Sequence, residues 1–511
     1  MHEDSVIIIG AGCAGLSAGV YAQANGYRSR IFEHHALPGG VATGWRRGEY
    51  WIDGGIHFLM GNVPGTPTYD LYTQLGVNPA CRCVAMSPYT VMRDPAQGRS
   101  IAITADVDRF AEELRQVSPA DAQPIDALVG GAKAFAASGA VDFGTEKPPE
   151  MSSPFDQVRM MWRIRKLLRY FGGPFGKPVQ DFTRAIHDPW VRFVIDNRFL
   201  PEVPVWFVMM LLSLGATDGA MALLADGSLH FARAIERRYL DLGGEVTYRA
   251  TVEEVLVDSD RAVGVRLADG STHRAGAVIS AADGHSTVFG MLGGRYVDNR
   301  TRERYAQWAL IRPWVMVSFG VARDLSAEPW SQMVRLEEPI AVGDGRVPWL
   351  SVRVFNYGES FAPAGKTVVQ AAFDSEWAYW NGLRQRDRAA YDGEKQRVAA
   401  EVLERLETVL PGLGSDVEVT DVATPYTTWR YTRNREGAYM GWLPTPKAVT
   451  SRVARMLPGL RDFYMAGQWV MPGGGVPPCL ASGKHAVQLL CRRDRRPFRV
   501  TALGSVRGRR C

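Results

Sequence analysis

The feature that most constrains this 511-residue chain lies at its start, where residues 5–33 read SVIIIGAGCAGLSAGVYAQANGYRSRIFE. Residues 6–9 are an unbroken β-branched run, the composition of a strand buried on both faces of a parallel sheet. The run ends at Gly10-Ala11-Gly12-Cys13-Ala14-Gly15, a GxGxxG that opens a helix carrying small residues such as Ala18 and Ala22. Gly10 permits the tight turn, Gly12 lets a pyrophosphate approach the backbone, and Gly15 lets helix and strand pack closely. A second strand over residues 29–32 ends at Glu33, about 20 residues beyond the glycines, where a carboxylate meets ribose hydroxyls. A glycine turn alone says little. Strand, glycines, helix, strand and acid in this order predict a Rossmann-type βαβ unit that binds a dinucleotide.

The rest of the composition mainly excludes. A net charge of +5 is small against 59 basic and 54 acidic side chains, so no concentrated basic face for nucleic acid is expected. The six cysteines include no CxxC pair, and Cys81 and Cys83 have no histidine nearby, so neither a zinc site nor a disulfide framework is expected. A reducing, cytoplasmic setting fits this usage, and nothing near Met1 has the form of an export signal. The longest apolar run, VPVWFVMMLLSL over residues 203–214, is shorter than the roughly 20 residues a spanning helix needs. Being apolar all round, it is expected to be buried or to line an apolar cavity, with Trp206, Met209 and Met210 as its bulky members.

The continuation after Glu33 narrows the dinucleotide. It reads HHALPGGVATGWRRGEYWIDGGIHFLMG, with a second glycine pair at Gly39-Gly40. This resembles the flavin-binding superfamily of phytoene desaturases, carotenoid isomerases, amine oxidases and GDP-dissociation inhibitors, and looks most like the bacterial phytoene-desaturase-like branch. The family usually has an arginine after the glycine pair; here Val41 stands there, leaving Arg46 or Arg47 to compensate. Two later segments extend the likeness. In residues 223–283 a turn at Asp226-Gly227 starts a helix, Val252 matches the valine whose backbone meets the adenine, and Ala281 closes a returning strand. In residues 463–491 a strand ends at Gly467, Gln468 replaces the usual acid, and Gly474-Gly475-Val476 opens a helix whose N-terminus would face the flavin N1/C2-carbonyl edge.

The resemblance implies FAD, held by Gly10, Gly12, Cys13, Ala14, Gly15, Glu33, His34, Gly39, Gly40, Val41, Thr43, His57, Val252, Ala281, Gly467, Gln468, Gly474, Gly475 and Val476, with no metal. His57 and Cys479 are the candidates should the flavin be covalently attached. It implies an α/β fold: a glutathione-reductase-like Rossmann domain with a central parallel sheet, interleaved with an α+β substrate domain on a mixed sheet. The FAD domain is expected over residues 1–90, 222–300 and 450–496. The substrate domain is expected over 91–221 and 301–449, with a helical lid at about 150–221 and a basic tail at 497–511. No second GxGxxG in a strand–helix context exists, which leaves oxygen, a quinone or loosely bound nicotinamide as electron partner.

Desaturation removes a hydride to the flavin and a proton from the neighbouring carbon, so both bonds must be aligned and water excluded. An apolar polyene needs a greasy tunnel more than a cluster of acids. The expected function is hydride transfer with an apolar polyene or isoprenoid-type substrate, in desaturation or in flavin-assisted isomerisation or cyclisation. His57 either moves protons near the flavin or only hydrogen-bonds its surroundings. Arg430 and Tyr431 either hold an oxyanion or a carboxylated substrate, or pair within the substrate sheet. The alternative, an amine oxidase, often uses a lysine near the flavin; the candidates are Lys366 and Lys395, neither in an aromatic-flanked context in the sequence. A GDP-dissociation-inhibitor-like binder is the second alternative, disfavoured by the intact glycine segments. Finally, residues 158–171 (VRMMWRIRKLLRYF) read as a basic amphipathic helix, with Met161, Ile164, Leu168 and Phe171 as its stripe. It either lies on an anionic membrane or, the favoured reading, packs its stripe on the substrate domain as a lid.

Overall fold

The β-branched N-terminal run forms the strand Ser5–Ile9, the centre of a five-stranded parallel sheet in a computed structural model that describes residues 4–500 apart from 140–143, 145, 198 and 216–218. The strand order is Glu245–Thr247, Arg28–Phe32, Ser5–Ile9, Ala277–Ser280, Phe463–Met465. Helices cover one face, burying Val6 and Ile8, and a three-stranded antiparallel sheet over residues 252–274 lies on the other, burying Ile7 and Ile9. The helix Cys13–Ala24 packs against Ser228–Asp241 and against the C-terminal helix Val476–Arg493. Small residues make that close approach feasible: a Cβ on Gly483 would stand 2.2 Å from the Ala14 carbonyl oxygen. The Ser17 hydroxyl also donates to the Leu480 carbonyl at 2.7 Å.

A second, seven-stranded sheet runs in the order Val417–Ala423, Trp314–Val321, Thr367–Asp374, Gly345–Val354, Ser331–Val342, Thr90–Asp94, Arg99–Ile103. Its pairs are antiparallel except Ser331–Val342 with Thr90–Asp94. One face packs on the helices Trp377–Arg386 and Arg388–Leu406 through Trp380, Val398 and Val402. The alternate residues, among them Met316, Met333, Ser351 and Arg353, face a cavity. The parallel sheet thus draws strands from residues 5–32, 245–280 and 463–465, and the mixed sheet from residues 90–103 and 314–423.

Of the described residues in the helical segment between 107 and 215, only Asn197, Phe199 and Leu200 and the helix that follows them line the cavity. The apolar run forms the helix Val205–Gly215, with Met209 pressed against Gly131, Trp206 on the Phe171 ring at 5.2 Å, and only Met210 of the three bulky residues in the cavity wall. The basic helix differs from the favoured expectation. It spans only Pro154–Ile164, fastened at its start by a Ser153–Asp156 capping box, and none of its residues is buried. Phe155 is 75% exposed and Trp162 66% exposed, with Val158, Met160 and Met161 exposed beside them. The chain then bends, so that Leu167 and Tyr170 enter the core in place of Met161 and Leu168. Among the described residues no helix is long and apolar enough to cross a membrane.

The basic C-terminal residues are also less free than their sequence suggests. Arg493 pairs with Asp462 and Asp494, and Arg496 with Asp4. Residues 501–511, with Arg507, Arg509 and Arg510, lie outside the described residues.

Candidate functional site

The glycines of the N-terminal loop are tied to the second glycine pair. Gly39 donates its N–H to the Ala11 carbonyl at 2.8 Å, which brings Gly12 and Gly39 into a parallel bridge. Gly10 (φ +94°) and Gly39 (φ +107°) occupy backbone conformations that favour glycine. Gly15 is needed for packing: a Cβ there would stand 1.9 Å from the Gly10 carbonyl oxygen. Gly12 is different, because an added Cβ would meet nothing closer than the Gly39 oxygen at 3.9 Å and would point into open space. That space is a cavity of about 1260 Å³, reaching from these loops to the mixed sheet.

Of the cofactor residues expected from the sequence, all but Gly15 line this one cavity. Glu33 ends its strand buried, its Oε2 accepting from Ala11 N at 2.6 Å and its Oε1 from His35 N at 2.7 Å. Burial pushes its carboxyl above the ordinary range. Gly467 (φ +98°) ends its strand and donates to the Ser482 hydroxyl at 2.6 Å, fastening the turn to the C-terminal helix. The helices Cys13–Ala24 and Val476–Arg493 both start at the cavity, from Gly12 and Gly475, with no side chain capping either N-terminus. Two long helices therefore offer free N–H groups where glycines leave room for phosphate, and a buried carboxylate stands where a ribose would bind. These residues fit a dinucleotide. The expected compensation for Val41 is not found, however. Arg46 is exposed and does not line the cavity, and Arg47, which does, is bound to Asp421 at 2.6 Å.

At the sheet end, His57 packs on Trp314 (4.7 Å between ring centres), which packs on Tyr439 at the same distance. Burial, reinforced by the Arg353 charge, holds His57 well below its ordinary value, so the ring is neutral near pH 7. Asp53 fixes the segment leading to it. Its carboxylate accepts from Ser228 N and Ser228 Oγ at 2.6 Å each and from Gly55 N at 3.1 Å. Beyond the histidine the wall is apolar, formed by Met60, Met86, Phe199, Phe207, Met210, Trp330 and Met333. Trp314, Tyr439, Arg353 and Met333 were not singled out from the sequence. The period-2 pattern of GRVPWLSVRV, which sets Ser351 and Arg353 opposite buried valines, carried a signal for one of them.

Arg430 and Tyr431 are placed elsewhere. Both line the cavity rim and are exposed; Tyr431 meets the His35 ring at 4.9 Å, and His34 Nε2 lies 3.2 Å from the Arg430 carbonyl. All three line the same cavity, but His57 makes its ring contact with Trp314 and Tyr431 makes its own with His35. Lys366 is paired with Glu418 and Glu49. Lys395 does line the cavity, over the Tyr391 ring at 5.8 Å, an aromatic neighbour one helical turn earlier. Its charged neighbours are Asp392, Asp421 and Arg47. Cys13 and Cys479 also line the cavity; burial pushes both thiols up, Cys13 to about 12, so neither is a thiolate.

Comparison with known proteins agrees with this geometry. The family model for flavin containing amine oxidoreductases matches residues 13–491. The chain is 26% identical to the chloroplastic prolycopene isomerase of Daucus carota, over 94% of this chain and 79% of that protein. It is 24% identical to the neurosporene-forming phytoene desaturase of Rhodobacter capsulatus, over 95% and 93%. Cyclohexylamine oxidase from Brevibacterium oxydans shares the fold at a TM-score of 0.60 and 15% identity, covering 96% of this chain and 99% of that one. With a family model spanning the chain from the first glycine loop to the last helix, the chain belongs to the flavin containing amine oxidoreductases and is an FAD-dependent oxidoreductase.

Proposed function

We propose that the parallel-sheet unit holds FAD along the two glycine loops and the two helix N-termini, and that the cavity's apolar wing takes a polyene or isoprenoid-type substrate for desaturation, or for flavin-assisted isomerisation or cyclisation. The observation that carries this reading is the continuity of the cavity from Gly12 and Gly475 to a wall of methionines and aromatic rings. Names of relatives support it, since those quoted above are a prolycopene isomerase and a phytoene desaturase. Bound FAD supplies a hydride acceptor at N5. The protein's part is to align the substrate against the mixed sheet, exclude water with Phe199, Phe207 and Met210, and present neutral His57 as a hydrogen-bonding group on the cavity wall. His34, Arg430 and Tyr431 are read as walls of the adenosine end.

The same reading places the protein at the cytoplasmic surface of a membrane. Exposed Phe155, Met161 and Trp162 with Arg159, Arg163, Arg165, Lys166 and Arg169 fit an anionic bilayer, the phase that dissolves such a substrate. The test of function is anaerobic mixing of the FAD-loaded protein with polyenes, amines and NADPH while following visible absorbance. Bleaching by a polyene is the expected result. Bleaching by NADPH alone would favour an isomerase or cyclase that starts from reduced flavin. Bleaching by amines would overturn the reading in favour of an amine oxidase, for which Lys395 on the cavity wall is the supporting observation.

A further inference from the structure

One charge in the cavity is not accounted for by the redox chemistry. Arg353 stands on the strand Gly345–Val354 between Val352 and Val354, which are fully buried on the opposite face, so alternation turns its side chain to the cavity. Among the described residues no carboxylate lies within ion-pair distance of its guanidinium, no hydrogen bond holds it, and its Nε is a buried donor without a partner. Among the described residues, none of the neighbouring groups is hydrogen-bonded to it. Asp53 is bound to Ser228 and Gly55. Gln370, its cross-strand neighbour, donates to the Asp53 carbonyl and to Ser318 Oγ. Tyr357 and Tyr439 are the other facing groups, and both are protonated phenols because burial raises them.

Two other arginines near the core have carboxylate partners, whereas Arg238, 7% exposed and away from the cavity lining, shares with Arg353 a buried Nε without a partner. Arg312 is held by Glu202 at 2.5 Å and Asp374 at 2.6 Å, and Arg455 by Glu150 at 3.1 Å. A guanidinium taken out of water without a counter-ion is destabilising, and a planar fork of donors is matched best by a carboxylate. Apolar walls on one side and one unmatched cation beside His57 describe an amphiphile's site. We propose that Arg353 anchors a carboxylate at the end of an otherwise apolar substrate, so that this chain acts on a polyene acid and not on a plain hydrocarbon. The inference rests on the apolar-substrate reading above and narrows it. The acid end is fixed beside His57, and the chain extends along the methionine and aromatic wall.

The probe is cis-parinaric acid, a conjugated tetraene fatty acid whose fluorescence rises on leaving water, compared with its methyl ester on the FAD-loaded protein. The expected result is that the acid binds at least about ten-fold tighter than the ester, the range of one charge-assisted bidentate contact. In Arg353→Met the acid should weaken to the level of the ester while the ester is unchanged, and Arg353→Lys should keep part of the preference. Without probe, Arg353→Met should melt no lower than the parent, because no internal partner is lost. Equal binding of acid and ester by the parent, or a preference that persists in Arg353→Met, overturns the inference and leaves the apolar-substrate reading standing. Failure of both probes to bind overturns that reading and this one with it. Loss of FAD from Arg353→Met would assign the guanidinium to the cofactor, and a lower melting point with FAD retained would assign it to an internal pair; each refutes the proposal.

Discussion

Gly12 and Gly15 stand three residues apart in one motif, yet replacing each by alanine should fail in a different way. Gly12 has φ −69° and ψ 176°, which alanine adopts freely, and its new Cβ would meet only the Gly39 oxygen at 3.9 Å. The stability of the protein stripped of FAD should therefore change by no more than about 0.5 kcal/mol, within the range of harmless substitutions. The same methyl group projects into the cavity where the phosphates must approach the backbone. Losing two charge-assisted hydrogen bonds at about 1.5 kcal/mol each costs about 3 kcal/mol, or roughly a hundred-fold in FAD affinity. Gly15→Ala instead drives a Cβ to 1.9 Å from the Gly10 carbonyl oxygen, so the loop must move by more than 1 Å. That overpacking costs about 1–3 kcal/mol with or without FAD. The assay is flavin absorbance retained per protein after gel filtration, together with thermal unfolding of the stripped proteins. Gly12→Ala should be pale and as stable as the stripped parent, and Gly15→Ala pale and less stable. A fully yellow Gly12→Ala, or equal destabilisation by both changes, would refute the reasoning.

Two further outcomes follow from the charges and the surface. His485 is buried beside Arg455 and Lys484 and held well below 6.5, so the unfolded chain takes up a proton that the folded protein resists. The stability it contributes is present above pH 6.5 and lost as pH falls from there towards its depressed folded value. The parent should lose about 1.4 kcal/mol more per pH unit below 6.5 than His485→Gln does, read from denaturant unfolding; parallel pH profiles for the two proteins would contradict this. On the exposed helix, the double change Phe155→Ser and Trp162→Ser should lower binding to phosphatidylglycerol-containing vesicles by roughly a hundred-fold, since burying each ring in lipid is worth about 1.5–3 kcal/mol. The melting temperature should hold, because both rings face solvent. Unchanged co-sedimentation with vesicles would exclude this helix as the docking surface.

The nucleotide half of the molecule was legible because its constraints are local. A strand of β-branched residues, glycines with no room for a Cβ and an acid at a strand end act within some 30 residues, and each leaves a residue type behind. The strands Ala277–Ser280 and Phe463–Met465 were readable for the same reason, and they pair side by side next to Ser5–Ile9. The helix at 158–171 was legible in composition and misjudged in environment. Its periodicity could not say whether a partner surface existed, and the chain bends after Ile164 so that other residues fill the core. Arg430 and Tyr431 drew attention as a charged and aromatic pair, but nothing in their own segment showed that the fold would set them beside His34 and His35.

By itself, the sequence determined the cofactor class and the α/β frame, because phosphate binding requires particular residue types at fixed short spacings. Only the tertiary structure decided which side chains face the cavity beyond the flavin's place. His57, Trp314, Arg353 and Tyr439 come from segments up to several hundred residues apart, and what unites them is the register of a mixed sheet packed against a parallel one. A lone arginine among valines is an ordinary surface pattern in a sequence. It becomes an unpaired charge only when the sheet turns it to the cavity and leaves its Nε without a hydrogen-bonded partner.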